Sequence, residues 1–457
     1  MPEKGGALKK TGIALVLFLV PASLVMGQTD GAAGADAVAA PGSSASSETG
    51  PPGEVRRAQG ATQLPALARE AVDQHPDVRR ARIDMERERE EVTVARSRRW
   101  PQVTASTRSE YQSSLGRNVD VASVNASQRL YDFGEVSSDI ERARAGVTRA
   151  RGELHATREE VASSALQAMI DMQRYQAMEA IAREQIESME RIGELAQRRS
   201  DLGAAARADT RAVEARTEQA RLVLADVRAD RESARRELHE YVDVASGMRI
   251  DDAFPDDWAA SCRGIDREGL DAAPSLKVAA ARQEEARALR ERERAARWPT
   301  VSVDFQSDYF FDSDLPNQSE STVLLNVTAD VFRGGRNRAR ERAAELGRDS
   351  AAARRESLRA ASARTVDEAA TRLDDLETRI EGLERRLESL DDLRGLYETQ
   401  YVGAGTRTLL DLLSAEQDYF QARFDLVDAR HDRRLHAVRC LEQGGRLSAL
   451  LGLGAQE

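Results

Sequence analysis

RWPQVTAS (residues 99–106) returns almost unchanged as RWPTVSVD (residues 297–304), 198 positions later. In both copies the pattern that follows the proline has period two. Val103, Ala105, Thr107 and Tyr111 fall on one side, and Gln102, Thr104, Ser106, Arg108 and Glu110 on the other. The second copy is sharper, with Val301, Val303, Phe305 and Tyr309 against Thr300, Ser302, Asp304, Gln306 and Asp308. Such alternation reads as a strand with one apolar and one polar face. Partner strands follow. Ala122, Val124, Ala126 and Leu130 alternate with Ser123, Asn125, Ser127 and Arg129; Val323, Leu325, Val327, Ala329 and Val331 alternate with Thr322, Asn326, Thr328 and Asp330, with Leu324 as the exception on the polar side.

Strands of about ten residues with this two-faced pattern suit a transmembrane barrel, with lipid outside and water inside. Trp100 and Tyr111 bracket the first strand and Trp298 and Tyr309 the third, where membrane-interface aromatics belong. The loops QSSLGRNVD (112–120) and FDSDLPNQSE (311–320) are polar and suit an exposed mouth. Four strands cannot close a barrel, and an open edge in lipid leaves unpaired backbone groups at several kcal/mol each, so membrane insertion requires oligomerisation. A small soluble sheet between coiled coils fits the alternation equally well.

The repeat extends far beyond eight residues. Pro76 pairs with Pro274, Asn125 with Asn326, Gly134 with Gly335, Gly203 with Gly405 and Asp209 with Asp411; Gln219, Ala220 and Arg221 match Gln421, Ala422 and Arg423. Self-similarity at this period implies two copies of one structural unit of about 200 residues.

Proline placement indicates what each unit contains. None occurs between Pro101 and Pro255, nor after Pro316, so two tracts are free to hold very long helices. Leu373, Leu376, Ile380, Leu383, Leu387, Leu390 and Tyr397 follow coiled-coil spacing, and Leu413, Phe420 and Val427 recur every seven residues on a returning arm. Each unit is therefore also a helical hairpin, turning at 201–205 and 402–405. A further helix precedes each Trp-Pro, at 66–98 and about 269–297. Gly203, Gly403 and Gly405 suit the tip turns, and Gly134, Gly334 and Gly335 the junction of strand and long helix.

Composition agrees: of 457 residues 32% are charged and only 4% aromatic, as in long helices rather than a broad globular core. The formal net charge of −11 gives no footprint for nucleic acid. Lys4, Lys9 and Lys10 before the apolar run 13–25 form a secretory signal pattern, followed by an Ala, Gly, Ser and Pro rich tether. Cys262 and Cys440 are too few for a disulfide framework and read as two isolated small hydrophobes, with a bridge between them left open. The chain thus divides into a signal peptide (1–27), a flexible linker (28–63), a first repeat (64–260, strands near 102–112 and 121–131, helical hairpin 135–240), a second repeat (261–453, strands near 300–310 and 322–332, hairpin 336–443) and a short tail (454–457). The fold class is mainly α with a small membrane β part.

Long hairpins with strands inserted at matching places resemble the TolC-like outer-membrane efflux and secretion channels. The residues that carry the resemblance are GTRTLLDLL (405–413), AEQDYFQARFDLVDAR (415–430), QRLYDFG (128–134), VFRGG (331–335) and HPDVRRAR (75–82). The resemblance covers residues 64–453 and implies a homotrimer whose twelve strands form one outer-membrane barrel continuous with a periplasmic α-helical barrel. It also implies a periplasmic adaptor and an inner-membrane pump, ABC-type or proton-driven. GTRTLLDLL is most like the type I secretion branch. In the family the tunnel tip is closed by an arginine and acidic rings, positions held here by Arg407 and Asp411; the second acidic position is Ser414, so one ring remains. The arginine's Thr-Asp partner is Ala208-Asp209 here, which keeps the charge and loses the hydroxyl. Converging carboxylates would favour cations and raise one another's proton affinity. An Asp and Arg at i, i+4 also make an ordinary solvated helix pair worth about 0.3–0.5 kcal/mol.

No GxxxxGK[ST] or GxSxG sequence occurs, and His431 and His436, five apart, share no helix face, so neither catalysis, a cofactor nor a metal is expected. The expected function is an exit duct for unfolded protein or small toxic compounds. The alternative is a pore-less periplasmic coiled-coil adaptor or scaffold.

Overall fold

A computed structural model describes residues 63–113, 117–203, 206–243, 248–266, 269–311, 319–404 and 406–453; the expected signal peptide, nearly all of the linker, Gly405 and the tail lie outside the described residues. The first helical tract is two helices rather than one, α1 (Gln63–Gln74) and α2 (Pro76–Ser97). A proline pushes its predecessor out of the helical region and then starts a new helix well, and His75 accordingly adopts φ −65, ψ 132.

The strands are β1 (Gln102–Gln112), β2 (Arg117–Tyr131), β3 (Thr300–Phe310) and β4 (Ser319–Thr328). They form one antiparallel sheet in the order β1-β2-β3-β4. Gln102 opposes Ser127 and Thr300 opposes Thr328, so the two hairpins have the same register when β3 is matched to β1 at 198 residues and β4 to β2 at 201. One face carries Val103, Val124, Phe305, Val323, Leu325 and Val327, all exposed. On the other face the Asp304 carboxylate accepts from the Ser127 and Ser302 hydroxyls and from the Asn326 amide. β4 stops at Thr328, short of the 332 reached by the alternation, whereas β2 runs to Tyr131. The reason is pairing: residues beyond Ser127 on β2 pair only with β3, and among the described residues β4 has no strand on its far side.

At the sheet's base Gly134 (φ 99) and Gly335 (φ 83) turn the chain into α3 (Glu135–Asp201) and, past the second repeat's shorter helices, α7 (Arg336–Thr399). The residues before them, Phe133 (φ 53) and Gly334 (φ 58), are also left-handed. Phe133 bears a Cβ there at a cost of about 1–2 kcal/mol, offset by stacking on Trp298 at 5.3 Å and edge contact with Tyr131 at 4.7 Å.

With 67 residues α3 is about 100 Å long, and the 64 residues of α7 about 95 Å. α4 (Arg207–His239) returns along α3, and α8 (Leu409–Gln443) along α7. Between the repeats lie α5 (Asp257–Arg263), a 3-10 turn (Gly269–Ala272) and α6 (Pro274–Ala295), and α9 (Leu447–Leu450) ends the described chain. On the α7–α8 seam Leu373, Leu376 and Ile380 are buried with Leu413 and Phe420, while Leu426 takes the inward place expected of Val427.

The main core gathers α1, the middle of α3, α5, α8 and α9 around Leu166, Met169, Trp258 and Leu441. Here the reading of the cysteines is corrected: Cys262 of α5 and Cys440 of α8 are disulfide-bonded, with Cα atoms 5.7 Å apart and both side chains buried. Spacing along the chain carries no information on this pair, because 178 residues separate partners that only the return of α8 brings together. Among the described residues no helix is long and apolar enough to cross a membrane.

Candidate functional site

The two returning helices start alike, after turns of different construction. After α3, Gly203 (φ 70) turns the chain, and the Asp209 carboxylate accepts the Ala206 N–H at 3.3 Å at the start of α4. After α7 a π-helical turn, Gln400–Ala404, precedes the Thr408 N-cap of α8. Thr408 and Asp411 close a reciprocal capping box: the hydroxyl accepts the Asp411 N–H at 3.2 Å, and the carboxylate accepts the Thr408 N–H at 3.2 Å and its hydroxyl at 2.9 Å. Asp209 and Asp411 are thus third-residue carboxylates at helix N-termini, where the helix dipole favours negative charge. The Thr408 hydroxyl and N–H, with a smaller contribution from Arg407, hold the Asp411 carboxyl below the usual range in the single chain. Ser414 is exposed one turn further along α8.

Arg407 does not pair with Asp209 in the single chain. Its Nε donates to Gln400 Oε1 at 3.3 Å and its guanidinium lies 4.5 Å from the centre of the Tyr397 ring, both on its own hairpin. Gly403, expected to supply a left-handed turn, instead lies within the π-helical turn without a positive φ, and nothing approaches within 4 Å of a Cβ built on it. A one-residue widening of the last helical turn does the work expected of that glycine.

The contact that joins the two hairpins near the tip was not read from the sequence. Arg199, two residues before the end of α3, lays its guanidinium over Tyr401 at 4.5 Å and donates through Nη1 to the Tyr401 carbonyl. Tyr401 is buried among Met189, Ile192, Val213 and Leu412, and its hydroxyl has no partner among the described residues, nor does Arg199 Nε. Arg199 and Tyr401 stand 202 residues apart, the same offset as Asp209 and Asp411, which marks them as equivalent tip positions of the two repeats without announcing that they meet. Below them α3 and α8 are joined by a polar seam. Arg174 reaches Asp432 at 2.6 Å and Asp428 at 3.4 Å, and Ser163 donates to Glu442 at 2.6 Å.

At the other end Trp100, Tyr111, Trp298 and Tyr309 all lie exposed at the ends of β1 and β3, on either side of the apolar band. A chain whose two repeats each contribute one long helical hairpin and two strands of a single two-faced four-stranded sheet has the subunit architecture of an outer-membrane channel. The chain belongs to the outer membrane efflux protein family, whose model matches residues 67–242 and 267–442, that is, both repeats. It is similar in fold to the CmeC outer membrane channel of Campylobacter jejuni (16% identity, TM-score 0.74, covering 84% of this chain and 86% of that one). The outer membrane protein VceC of Vibrio cholerae matches at 17% identity and TM-score 0.73 over 84% of this chain and 96% of that one. The MtrE outer membrane channel of Neisseria gonorrhoeae, in its open state, matches at 19% identity and TM-score 0.71 over 84% and 89%. No match is found among curated protein sequences. The family is one of efflux proteins, not enzymes, and the CmeC and MtrE structures are channels.

Proposed function

We propose that the protein is the outer-membrane exit duct of a tripartite transport system, assembled from three copies. The observation that carries this reading is the sheet: apolar on one exposed face, polar on the other, and unpaired along both β1 and β4. The strands alternate in direction, so β4 of one copy and β1 of the next are antiparallel and the contact is head-to-tail, the kind that closes into a ring. Three copies supply twelve strands, and closure removes the edges that lipid forbids. The helices below continue the duct into the periplasm.

The chain has no nucleotide-binding sequence, so the driving force comes from an inner-membrane pump, ABC-type or proton-driven, joined through an adaptor that grips the tip turns around Gly203 and Gly403. The cargo is small toxic compounds, in keeping with the family's efflux channels. Type I secretion of unfolded protein is the second reading, favoured by GTRTLLDLL. At rest the tips stay drawn together by the Arg199–Tyr401 contact, and three Asp411 carboxylates ring the aperture.

Single-channel recording of the purified protein in planar bilayers tests the reading. Small, cation-selective conductances from a trimer are expected. A monomer that stays soluble without detergent and never inserts refutes the duct and favours the scaffold.

A further inference from the structure

The internal repeat supplies a template for the seam between copies. Within one chain, β2 of the first repeat pairs with β3 of the second; between copies, β4 takes the part of β2 and β1 the part of β3. The two hairpins share one register under offsets of 201 and 198 residues, so these offsets transfer positions from one seam to the other. Val124 opposes Ser307 and Ala122 opposes Tyr309 in the observed seam. We infer that, in the trimer proposed above, β4 pairs with β1 of a neighbouring copy so that Leu325 opposes Ser109, Val323 opposes Tyr111 and Val327 opposes Thr107.

Three independent features of the chain agree with this register. It sets the apolar face of β4 level with the apolar face of β1, which a one-residue slip would reverse. It also accounts for the unfinished end of β4. Residues 128–131 of β2 are strand only because β3 lies beside them; residues 329–332 are their equivalents, carry the same alternation, and find their partners in residues 103–105 of the neighbour. The observed seam has a bulge between Arg129 and Tyr131, and the transferred bulge falls at Val331.

Finally, the register finds a place for exposed apolar side chains. Val331 and Phe332 are 93% and 86% exposed, against 56% and 58% for their equivalents Leu130 and Tyr131. In the observed seam Tyr131 and Phe133 form an aromatic cluster on Trp298. At the new seam the counterpart of Phe133 is Gly334, which has no ring, so Phe332 alone packs beside Trp100 of the neighbour, itself 71% exposed in the single chain. β4 residues 323–332 and β1 residues 103–111 therefore form a docking surface for a second copy of this chain.

The test is a set of paired cysteine substitutions in the full-length protein, whose two native cysteines are already bonded to each other. Directly opposed side chains lie about 4.5–5.5 Å apart at Cβ and diagonal ones about 7–8 Å, so a disulfide distinguishes them. Leu325→Cys with Ser109→Cys is expected to yield covalent trimers under mild oxidation. The shifted pairs, Leu325→Cys with Thr107→Cys or with Tyr111→Cys, are expected to give less than a tenth of that yield. Trimers that cross-link best through a shifted pair, or through none of the three, overturn the register while leaving the duct intact. Monomers by native mass measurement of the unsubstituted protein in detergent overturn the trimer itself. Spin labels on the same positions, with inter-label distances from pulsed EPR, give the register without requiring bond formation and decide it where a cysteine pair assembles poorly.

Discussion

Replacing both Cys262 and Cys440 with alanine removes the one covalent tie between the connector helix α5 and the returning helix α8. The bond spans 178 positions, and the chain-entropy relation for a loop of that size gives roughly 5 kcal/mol at 25 °C. About 370 described residues, at about 2.1 cal/mol/K each, give an unfolding entropy near 0.8 kcal/mol/K, so the loss corresponds to a drop in midpoint of about 6 °C. Both sulfurs are buried in the main core beside Ile265, Leu270 and Leu441, so added reductant should act only once the core opens. The assay is a thermal melt of the detergent-solubilised protein followed by helical circular dichroism, on wild type with and without reductant and on the double variant. Intact wild type, denatured without reductant, should show no free thiol and a mass two daltons below the reduced chain. Two free thiols per chain, or a double variant melting within about 1 °C of wild type, would refute the reasoning.

Three further outcomes follow. Asp411→Asn keeps an oxygen to accept from Thr408 and removes the charge, so it should lower cation selectivity in bilayer recordings with little change in stability, whereas Asp411→Ala should also lose both carboxylate bonds of the capping box; unchanged selectivity in both would remove Asp411 from the gate. Arg199→Gln breaks a cation–aromatic contact worth about 0.5–2 kcal/mol and should raise the open probability of single channels by about 2- to 30-fold, and an unchanged or reduced value would show that this contact does not hold the tip. His431, whose Nδ1 faces the Val427 carbonyl and whose Nε2 faces Arg434 at 3.3 Å and Asp252 at 3.8 Å, is held neutral by burial, its pKa down from 6.5 to about 4. The unfolded chain binds this proton first, so stability present above pH 6.5 should fall by up to about 3 kcal/mol as pH drops through about 4, and His431→Gln should flatten that part of the pH–stability curve measured by denaturant titration.

Both strand pairs and both long hairpins were legible because each rests on a local period: two for the strands, three and four for the helices. Their ends were legible where proline or glycine enforces them, as at Pro101 and Gly134. The split at His75 was missed because the apolar pattern continues across it, although Pro76 marks it. The early end of β4 was missed for a different reason. Alternation records which faces a strand can present, not whether a neighbour is there to pair with it. The tip shows the same limit. Asp411 was located by its motif, but its bond to Thr408 depends on a hydroxyl three residues back, and the partners of Arg407 depend on how the π-helical turn places Gln400 and Tyr397. The Arg199–Tyr401 contact and the Cys262–Cys440 bond join segments about 200 residues apart, and no local pattern announces such meetings.

The two long helices are equals by repeat, yet they are not equally covered. α3 has 27 buried residues and α7 only six, though their lengths differ by three residues. The difference follows from neighbours: α3 packs against α2, α4, α6 and α8, whereas α7 packs chiefly against α6 and α8. In the trimer proposed above, the repeat equivalence of α2 with α6 and of α4 with α8 would bring α2 and α4 of the next copy to the open side of α7, completing for it the surroundings α3 already has. The character of the two seams then differs. In the proposed barrel the joining surface would be backbone and apolar side chains in lipid, where an unpaired edge costs several kcal/mol per group and separation is prohibitive. Along α7 the open side is dominated by charged residues such as Glu368, Asp375, Glu388 and Asp392, which water can solvate when the seam parts. Exposed ion pairs contribute about 0–1 kcal/mol each, so the helical seam can slide or splay at a cost the barrel seam cannot match. In the duct proposed above, opening at the tip while the membrane end stays sealed would therefore follow from where the chain places its apolar and its charged edges.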